Sequence, residues 1–454
     1  MPTLIEDTIA AISTPLGKSG LGVIRLSGKD SLRIALSLFS SPRKDLQDRV
    51  PVLGNLFEPS TGDVIDQAVV TYFQAPRSFT REDLVEISCH GNPVILKGVL
   101  GLALEAGARL ASPGEFTLRA FLRGRIDLVQ AEAIRDLIEA QTLFQVKVAQ
   151  EQATGSISRR VRPAKERLVQ LIALLEAGID FAEDDVSVLA EDEVGRHLSD
   201  IEAGLVPLRA SFALGKIVSS GLSIALAGRP NVGKSSVFNA LLQEERAIVT
   251  EMPGTTRDLV SETTQIQGVP VRLMDTAGIR EAKDLVEQLG IDRSVEALAD
   301  ADQVLFIVDG SEPWTVLDVE ILGRLEGRPY LLVVNKIDLL QQLDERSLPV
   351  GAKTVCRVSA KTGQGIDDLR RALFTEYGLP EGHAGLVTNL RHEQLIQRTL
   401  VALDASQKSL INGMPHEVIL LDLYSALKAL NALTGETTVE DILGSIFSTF
   451  CIGK

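Results

Sequence analysis

The spacing of apolar positions changes character three times along the chain. Through residues 1–118, short β-rich runs (GVIRLSG, QAVVTYF, DLVEISCHG) surround one Ala/Leu-rich helical run at 94–108, the pattern of an α+β domain. From 119 to 216 the period lengthens to that of helices in DLVQAEAIRDLIEAQT and KERLVQLIALLEAGIDF, with few glycine or proline breaks. Over 217–380 apolar strands (LSIALAG, VRLMDTAG, QVLFIVDG, YLLVVNKID, KTVCRVSA) alternate with helical stretches, which predicts a doubly wound, mostly parallel sheet. Helical periodicity returns over 381–454 in RHEQLIQRTLVALDASQKSLI and EVILLDLYSALKALNALTG. The economical arrangement is one discontinuous helical domain with the sheet domain inserted into it.

Composition narrows the chemistry. A chain of 454 residues exceeds one ordinary core, and 45% hydrophobic with 4% aromatic residues implies cores of Leu, Ile, Val and Ala. A net charge of -15 opposes a broad nonspecific nucleic-acid surface but leaves room for a local basic patch. Arg159, Arg160, Arg162, Lys165 and Arg167 form such a cluster, for which a solvated helix face is the plainer reading. Cys89, Cys356 and Cys451 lie far apart with no CxxC pair, so neither a disulfide framework nor a zinc site is indicated, and a reducing cytoplasm fits. The acidic start MPTLIEDTIAAIST does not resemble a secretory leader, and no run of about 20 apolar residues predicts a membrane span.

GRPNVGKS, Gly228 to Ser235, fits GxxxxGK[ST] between an apolar strand and a helical run, where backbone amides and a helix N-terminus wrap phosphate. Lys234 would neutralise the β and γ phosphates, and the Ser235 hydroxyl would ligate Mg²⁺. Asp275 opens DTAG at a strand end, where it would hold Mg²⁺ through water, and Gly278 would offer its N–H to the γ-phosphate. Thr256 in GTTRD sits where a switch loop brings a second Mg²⁺ ligand. Asn335, Lys336 and Asp338 form NKID, and Ser359, Ala360 and Lys361 form SAK. The Asp338 carboxylate can accept from N1–H and N2–H₂ of guanine, whereas adenine leaves it unpaired, so GTP is the expected substrate. The nucleotide site so drawn comprises Asn231, Val232, Gly233, Lys234, Ser235 and Ser236 of the phosphate loop. It adds Thr250, Glu251, Met252, Pro253, Gly254, Thr255 and Thr256, then Asp275, Thr276, Ala277 and Gly278, and the NKID and SAK residues.

Hydrolysis is less plainly written. A Ras-like enzyme places a water-orienting Gln after DTAG, but Ile279 and Arg280 stand here. Glu281, Asp284 and Glu287 are carboxylates that could orient water, and spacing does not distinguish them. A monovalent cation near Asn231 could supply the positive charge of an arginine finger.

GRPNVGKSS, GTTRD, DTAGIRE, NKID, SAK, the inserted sheet domain and the terminal CIGK together resemble the MnmE (TrmE) family of tRNA modification GTPases over essentially the whole chain. DTIAAISTPLGKSGLGVIRLSG, SFTREDLVEISCHGN and PGEFTLRAFLRGRIDL carry the likeness beyond the central domain. The resemblance implies a multidomain α/β fold: an N-terminal α+β domain of tetrahydrofolate-binding and dimerisation type, a discontinuous all-helical domain and an inserted Ras-like P-loop G domain. It implies a cytoplasmic homodimer whose G domains pair in a potassium-dependent way across their switch faces. It also implies an FAD-containing partner, MnmG, in a heterotetramer that installs an aminomethyl or carboxymethylaminomethyl group on C5 of the wobble uridine of certain tRNAs. By the same resemblance Asn231, Thr250, Met252 and Thr255 ligate potassium, Ser235 and Thr256 ligate Mg²⁺, and Glu287 orients the attacking water. Arg25, Glu86, Arg125 and Lys454 match positions that contact 5-formyltetrahydrofolate; position 125 can also be Lys. Cys451 stands where a covalent role has been considered, with a bland thiol the equal alternative, and Thr449 replaces a second Cys often found there, which removes a metal pair. A regulatory switch binding ribosomal RNA or a protein is the competing reading, since the central domain is compatible with both.

Overall fold

The computed structural model describes residues 6–42, 45–180, 190–242, 261–275, 301–325, 328–344, 352, 354–375, 377, 385–437 and 440–453. Its contacts divide the chain into one unit of Met1–Arg135 with Lys428–Lys454 and a second of Asp136–Leu427.

The first unit is built on a seven-stranded mixed sheet. Its strands are β1 (Ile9–Ile12), β2 (Ser19–Ser27), β3 (Phe39–Ser40), β4 (Val52–Phe57), β5 (Val64–Phe73), β6 (Leu84–Gly91) and β7 (Arg109–Leu110), in spatial order β3-β4-β5-β6-β2-β1-β7. Strand alternation sorts the side chains. Ile24 and Leu26 of β2 and Val85 and Ile87 of β6 join one core with α1 (Ser31–Leu38) and α2 (Pro93–Glu105). Arg25, between Ile24 and Leu26, is sent to the opposite face. Helix α2 covers the first face with Leu96, Val99 and Ala103 at helical spacing; Asn92 caps it by accepting from the Val94 N–H, and Pro93 fits its first turn. On the second face Ile9 and Ala11 of β1 pack with Ala111, Phe79 and Phe116, the last from α3 (Glu115–Leu122). Helix α14 (Glu440–Ser448) and the residues just after it close this unit by burying Leu443, Phe447 and Phe450 against Leu128 and Ala131, which belong to α4 (Leu128–Glu139).

The second unit holds a six-stranded sheet ordered β13-β12-β11-β8-β10-β9. Its strands are β8 (Leu222–Ala227), β9 (Ser261–Ile266), β10 (Val269–Asp275), β11 (Gln303–Asp309), β12 (Tyr330–Asn335) and β13 (Thr354–Arg357). All pairings are parallel except β9 with β10. Every residue of β11 and β12 is buried, as in a sheet covered on both faces. Leu226, Ile307 and Val333 pack on one face with α9 (Lys234–Leu242) and α11 (Ile366–Thr375), and Phe306, Leu332 and Val334 on the other with Leu325 and Trp314 beside α10 (Val316–Gly323).

Helices α5 (Leu143–Ala153), α6 (Ser156–Asp180), α7 (Glu191–Ala210) and α8 (Phe212–Ser220) precede this sheet, and α12 (Leu390–Ile411) and α13 (His416–Thr434) follow it. The two sides of the insertion are stitched together by polar bonds. The Gln152 amide donates to the Leu386 carbonyl at 2.7 Å and to Thr388 at 3.0 Å, and the Val387 N–H donates to Ser211 at 3.1 Å. A discontinuous helical region carrying an inserted, mostly parallel six-stranded sheet is therefore the observed architecture. Among the described residues no helix is long and apolar enough to cross a membrane.

Candidate functional site

The phosphate loop leaves β8 at the C-terminal edge of the parallel sheet and enters α9 at Lys234. Two glycines permit its course. Gly228 has φ +147°, and a β carbon there would stand 2.3 Å from the Ile307 carbonyl oxygen; at Gly233, φ +94°, it would stand 2.3 Å from Asn335 Nδ2. The Lys234 ammonium donates to the carbonyls of Gly228 and Arg229 at 2.8 and 2.9 Å, so the cation is held inside the loop it would serve. Ser235 and Ser236 are exposed in the first turn of α9, Val232 is buried beneath the loop, and exposed Asn231 has φ +67°. Asp275 pairs with Leu226 at the parallel end of β10, which brings the start of DTAG beside the root of the loop.

Asn335 joins the loops that surround a nucleotide. It is buried; its Nδ2 donates to the Val232 carbonyl at 2.9 Å and its Oδ1 accepts from the Ala360 N–H at 3.1 Å. Phosphate loop, NKID and SAK are thus fixed by one amide. Asp338 stands exposed beyond the end of β12, and buried Ser359 donates to its Oδ1 at 2.7 Å. Lys336, at φ +63°, reaches back to Asp309 Oδ2 at 2.6 Å. Burial pushes the Asp309 carboxyl up, but hydrogen bonds from Lys336 and Ser311 outweigh it and hold the group below the ordinary carboxylate range. Lys361 is exposed at the rim. Arg229, which carried no role in the motif reading, pairs with Glu312 at 2.5 Å and Asp318 at 3.4 Å, tying the outer edge of the phosphate loop to the first turn of α10 and the segment before it.

A second cluster forms in the first unit. Arg25 and Glu86 are register partners across β2 and β6, and Arg25 Nη2 lies 2.6 Å from Glu86 Oε1. The Arg25 guanidinium stands 5.9 Å from the Phe79 ring and 5.7 Å from Phe116. Gly124, at φ +66°, turns the chain after α3 and delivers Arg125, which donates to the Ser78 carbonyl at 2.8 Å and stands 5.9 Å from the same Phe79 ring. Two arginines expected from the sequence therefore stand beside a phenylalanine that sequence reading passed over, with Glu86 paired to the first of them. Exposed Cys451 and buried Gly453 are tied into the same unit: the Cys451 carbonyl accepts from the Gly114 N–H at 3.4 Å, and the Gly453 carbonyl from Ser13 Oγ at 3.1 Å.

Behind this cluster lies an ion network that the sequence reading also passed over. Arg119, 2% exposed, reaches Asp7 at 2.6 Å, Glu115 at 3.0 Å and Glu82 at 3.2 Å. Arg109 and Arg123 complete a balanced set of three acids and three arginines. Burial pushes the Glu115 carboxyl up, but hydrogen bonds from Arg109, the Ser112 N–H and Arg119 outweigh it and bring it below the usual range. The network anchors α3, and hence Phe116 and the turn to Arg125. Its one sequence signal was the Glu115/Arg119 spacing of four within PGEFTLRAFLRGR.

Thr250, Glu251, Met252, Pro253, Gly254, Thr255, Thr256, Thr276, Ala277, Gly278, Glu281, Asp284, Glu287 and Lys454 lie outside the described residues.

Two family models match: the MnmE helical domain over residues 128–451 and the GTP-binding protein TrmE N-terminus over residues 8–125. The tRNA modification GTPase MnmE of Koribacter versatilis (strain Ellin345) is 50% identical, with 99% of this chain and 100% of that protein covered. Proteins of the same description from Geotalea uraniireducens (strain Rf4) and Aquifex aeolicus (strain VF5) are 44% and 43% identical, again over 99% of this chain and 100% of each relative. Both ends of the chain and the inserted sheet are thereby accounted for together, and the chain belongs to the MnmE (TrmE) family.

Proposed function

We propose that the chain hydrolyses GTP to GDP and phosphate and that it acts in tRNA modification, at C5 of the wobble uridine, with an FAD-containing MnmG partner and a tetrahydrofolate one-carbon unit. The observation that carries the GTPase reading is the Asn335 bridge. It holds the phosphate loop and SAK against NKID, while Ser359 aims the exposed Asp338 carboxylate.

The chain's own groups suit each task. Asp338 accepts from the guanine edge. Lys234 exchanges its loop carbonyls for β and γ phosphate oxygens, and the N–H groups of the first turn of α9 add to the same cradle. Ser235, a hard oxygen donor at the mouth of the loop, fits Mg²⁺, as would Asp275 and Thr256; the ion when bound offsets charge on the phosphates. Asn231, Thr250, Met252 and Thr255 are proposed to hold K⁺, and Glu287 to orient the attacking water. In the first unit Arg25, Glu86 and Arg125 offer two cations and an acceptor around Phe79. That donor set suits a flat folate with ring N–H groups and carboxylates, with Lys454 as a further cation. Cys451 is retained as a candidate nucleophile. Homodimerisation through the first unit and potassium-dependent pairing of the G domains complete the reading.

Steady-state GTP hydrolysis in potassium and in sodium, with 5-formyltetrahydrofolate titrated calorimetrically into the same preparation, tests it. Potassium activation with folate binding is the expected result. Slow, cation-indifferent hydrolysis without folate binding would favour a regulatory switch.

A further inference from the structure

Helix α6 buries Ile157, Val161, Ala164 and Leu168, and turns Arg159, Arg160, Arg162 and Arg167 outward. With half-buried Lys165, these are five cations within residues 159–167 of a chain carrying -15 overall. Helix stability alone does not favour them there. The first turn of α6 contains no acid, the positive end of the helix dipole repels cations, and Arg159 and Arg162 stand at a like-charge i, i+3 spacing.

The neighbouring helix sharpens the asymmetry. Arg167 lies 3.1 Å from Asp200 of α7, and a β carbon on Gly204 would come 3.8 Å from the Ala164 side chain, so the two helices run antiparallel. Continuing that register brings Arg209, in the last turn of α7, beside the Arg159 end, whereas Glu191, Asp192 and Glu193 occupy the far end. Glu166 lies within the basic face and Glu393 pairs with Arg209 at 3.5 Å, leaving an excess of arginine. Two of the guanidinium groups are already positioned. Arg159 donates to the Thr154 carbonyl, and Arg160 lies against Gly385, φ +80°, where a β carbon would stand 2.4 Å from the guanidinium carbon.

We propose that this face of α6 docks the phosphate backbone of the tRNA, an inference that rests on the proposed role in tRNA modification. Residues 159–167 extend about 12 Å at the helical rise, enough for more than one backbone phosphate, and guanidinium groups bind phosphate oxygens in pairs. In an acidic protein an RNA backbone is met where the local field is positive, and the α6 end supplies that field.

The test uses the full chain and unmodified tRNA, with binding followed by fluorescence anisotropy across a potassium chloride series. Replacing Arg159→Gln, Arg160→Gln and Arg162→Gln together should weaken binding about tenfold or more at low salt. It should also reduce the slope of log affinity against log salt by about two, since each phosphate contact contributes roughly 0.7–0.9. The matching lysine triple should keep most of the slope. GTP hydrolysis without tRNA should be unchanged in both, and the single Arg162→Gln variant, with a slope change of about one, serves should the triple fold poorly. Equal affinity and slope in wild type and glutamine triple would overturn the proposal while leaving the GTPase reading intact. So would a wild type that binds no tRNA, or a triple that loses binding to anionic lipid vesicles but not to tRNA. Absence of GTP hydrolysis in the wild type is instead the failure of the proposed function.

Discussion

Asn335 and Asp338 stand three residues apart in NKID and do different work. Asn335 spends its amide inside the protein, on Val232 and Ala360, whereas Asp338 keeps an exposed carboxylate steadied by Ser359. Asp338→Asn should therefore move preference from GTP towards XTP in a competition assay, because an amide no longer complements guanine; retained guanine selectivity would remove Asp338 from the site. Ser359→Ala should weaken GTP binding about fivefold, the worth of one hydrogen bond of about 1 kcal/mol, without altering base preference. Asp309 makes a prediction about pH. Its folded carboxyl is held below the ordinary value of 3.8, so its contribution is fully present above that value and lost as pH falls through the depressed one. Asp309→Asn should lower Tm at pH 7 and flatten the fall of Tm below about pH 4; an unchanged acid limb would mean that the Lys336 pair contributes nothing. At this scale the motif residues were legible because each motif is a short contiguous run, although the bonds that join the runs, such as Asn335 to Val232 and Ser359 to Asp338, span long stretches of chain. Phe79, Phe116 and the Arg119 network were not, since their meaning depends on strands and helices distant in sequence meeting on one face.

At the scale of elements, the parallel strands announced themselves. LSIALA, QVLFIVD and YLLVVN are nearly continuous apolar runs, the signature of strands covered on both faces. Strand β9 did not. Its sequence SETTQI is largely polar, and it sits at the sheet edge, antiparallel to β10, where polar side chains are tolerated and protect against pairing with other chains. The turn from β8 into α9 was legible as a motif, but the physical reason for its glycines needed the fold. At Gly233 the loop passes so close to Asn335 that a methyl group has no room, and the backbone is already left-handed. Gly233→Ala should therefore weaken GTP binding about a hundredfold or more, by displacing Asn335 from Val232, while circular dichroism stays native; near-normal affinity would show that the amide bridge is dispensable.

At the scale of the whole molecule, helical periodicity announces that a segment buries one face but not which part of the chain covers it. The last residues illustrate this. Phe447 and Phe450 are covered by Leu128 and Ala131 of α4, and beyond them the backbone continues to the edge of β1 in the first unit. Gly453 is held there with φ +93°, and a β carbon would stand 2.5 Å from the Ile12 carbonyl. Chain end and N-terminal sheet are thus built as one structure. Because the phenylalanines that anchor α14 precede the final four residues, removing 451–454 spares the apolar contacts and takes away the hydrogen bonds of Cys451 and Gly453, a loss of about 1–2 kcal/mol. On the proposed folate role, affinity for 5-formyltetrahydrofolate should then fall about tenfold or more while GTP affinity stays within about twofold, both read by calorimetry on one preparation. A parallel loss of GTP affinity would make the tail a general support of folding. A selective loss would assign it to the cluster in which Arg25 and Arg125 flank Phe79 and Glu86 pairs with Arg25.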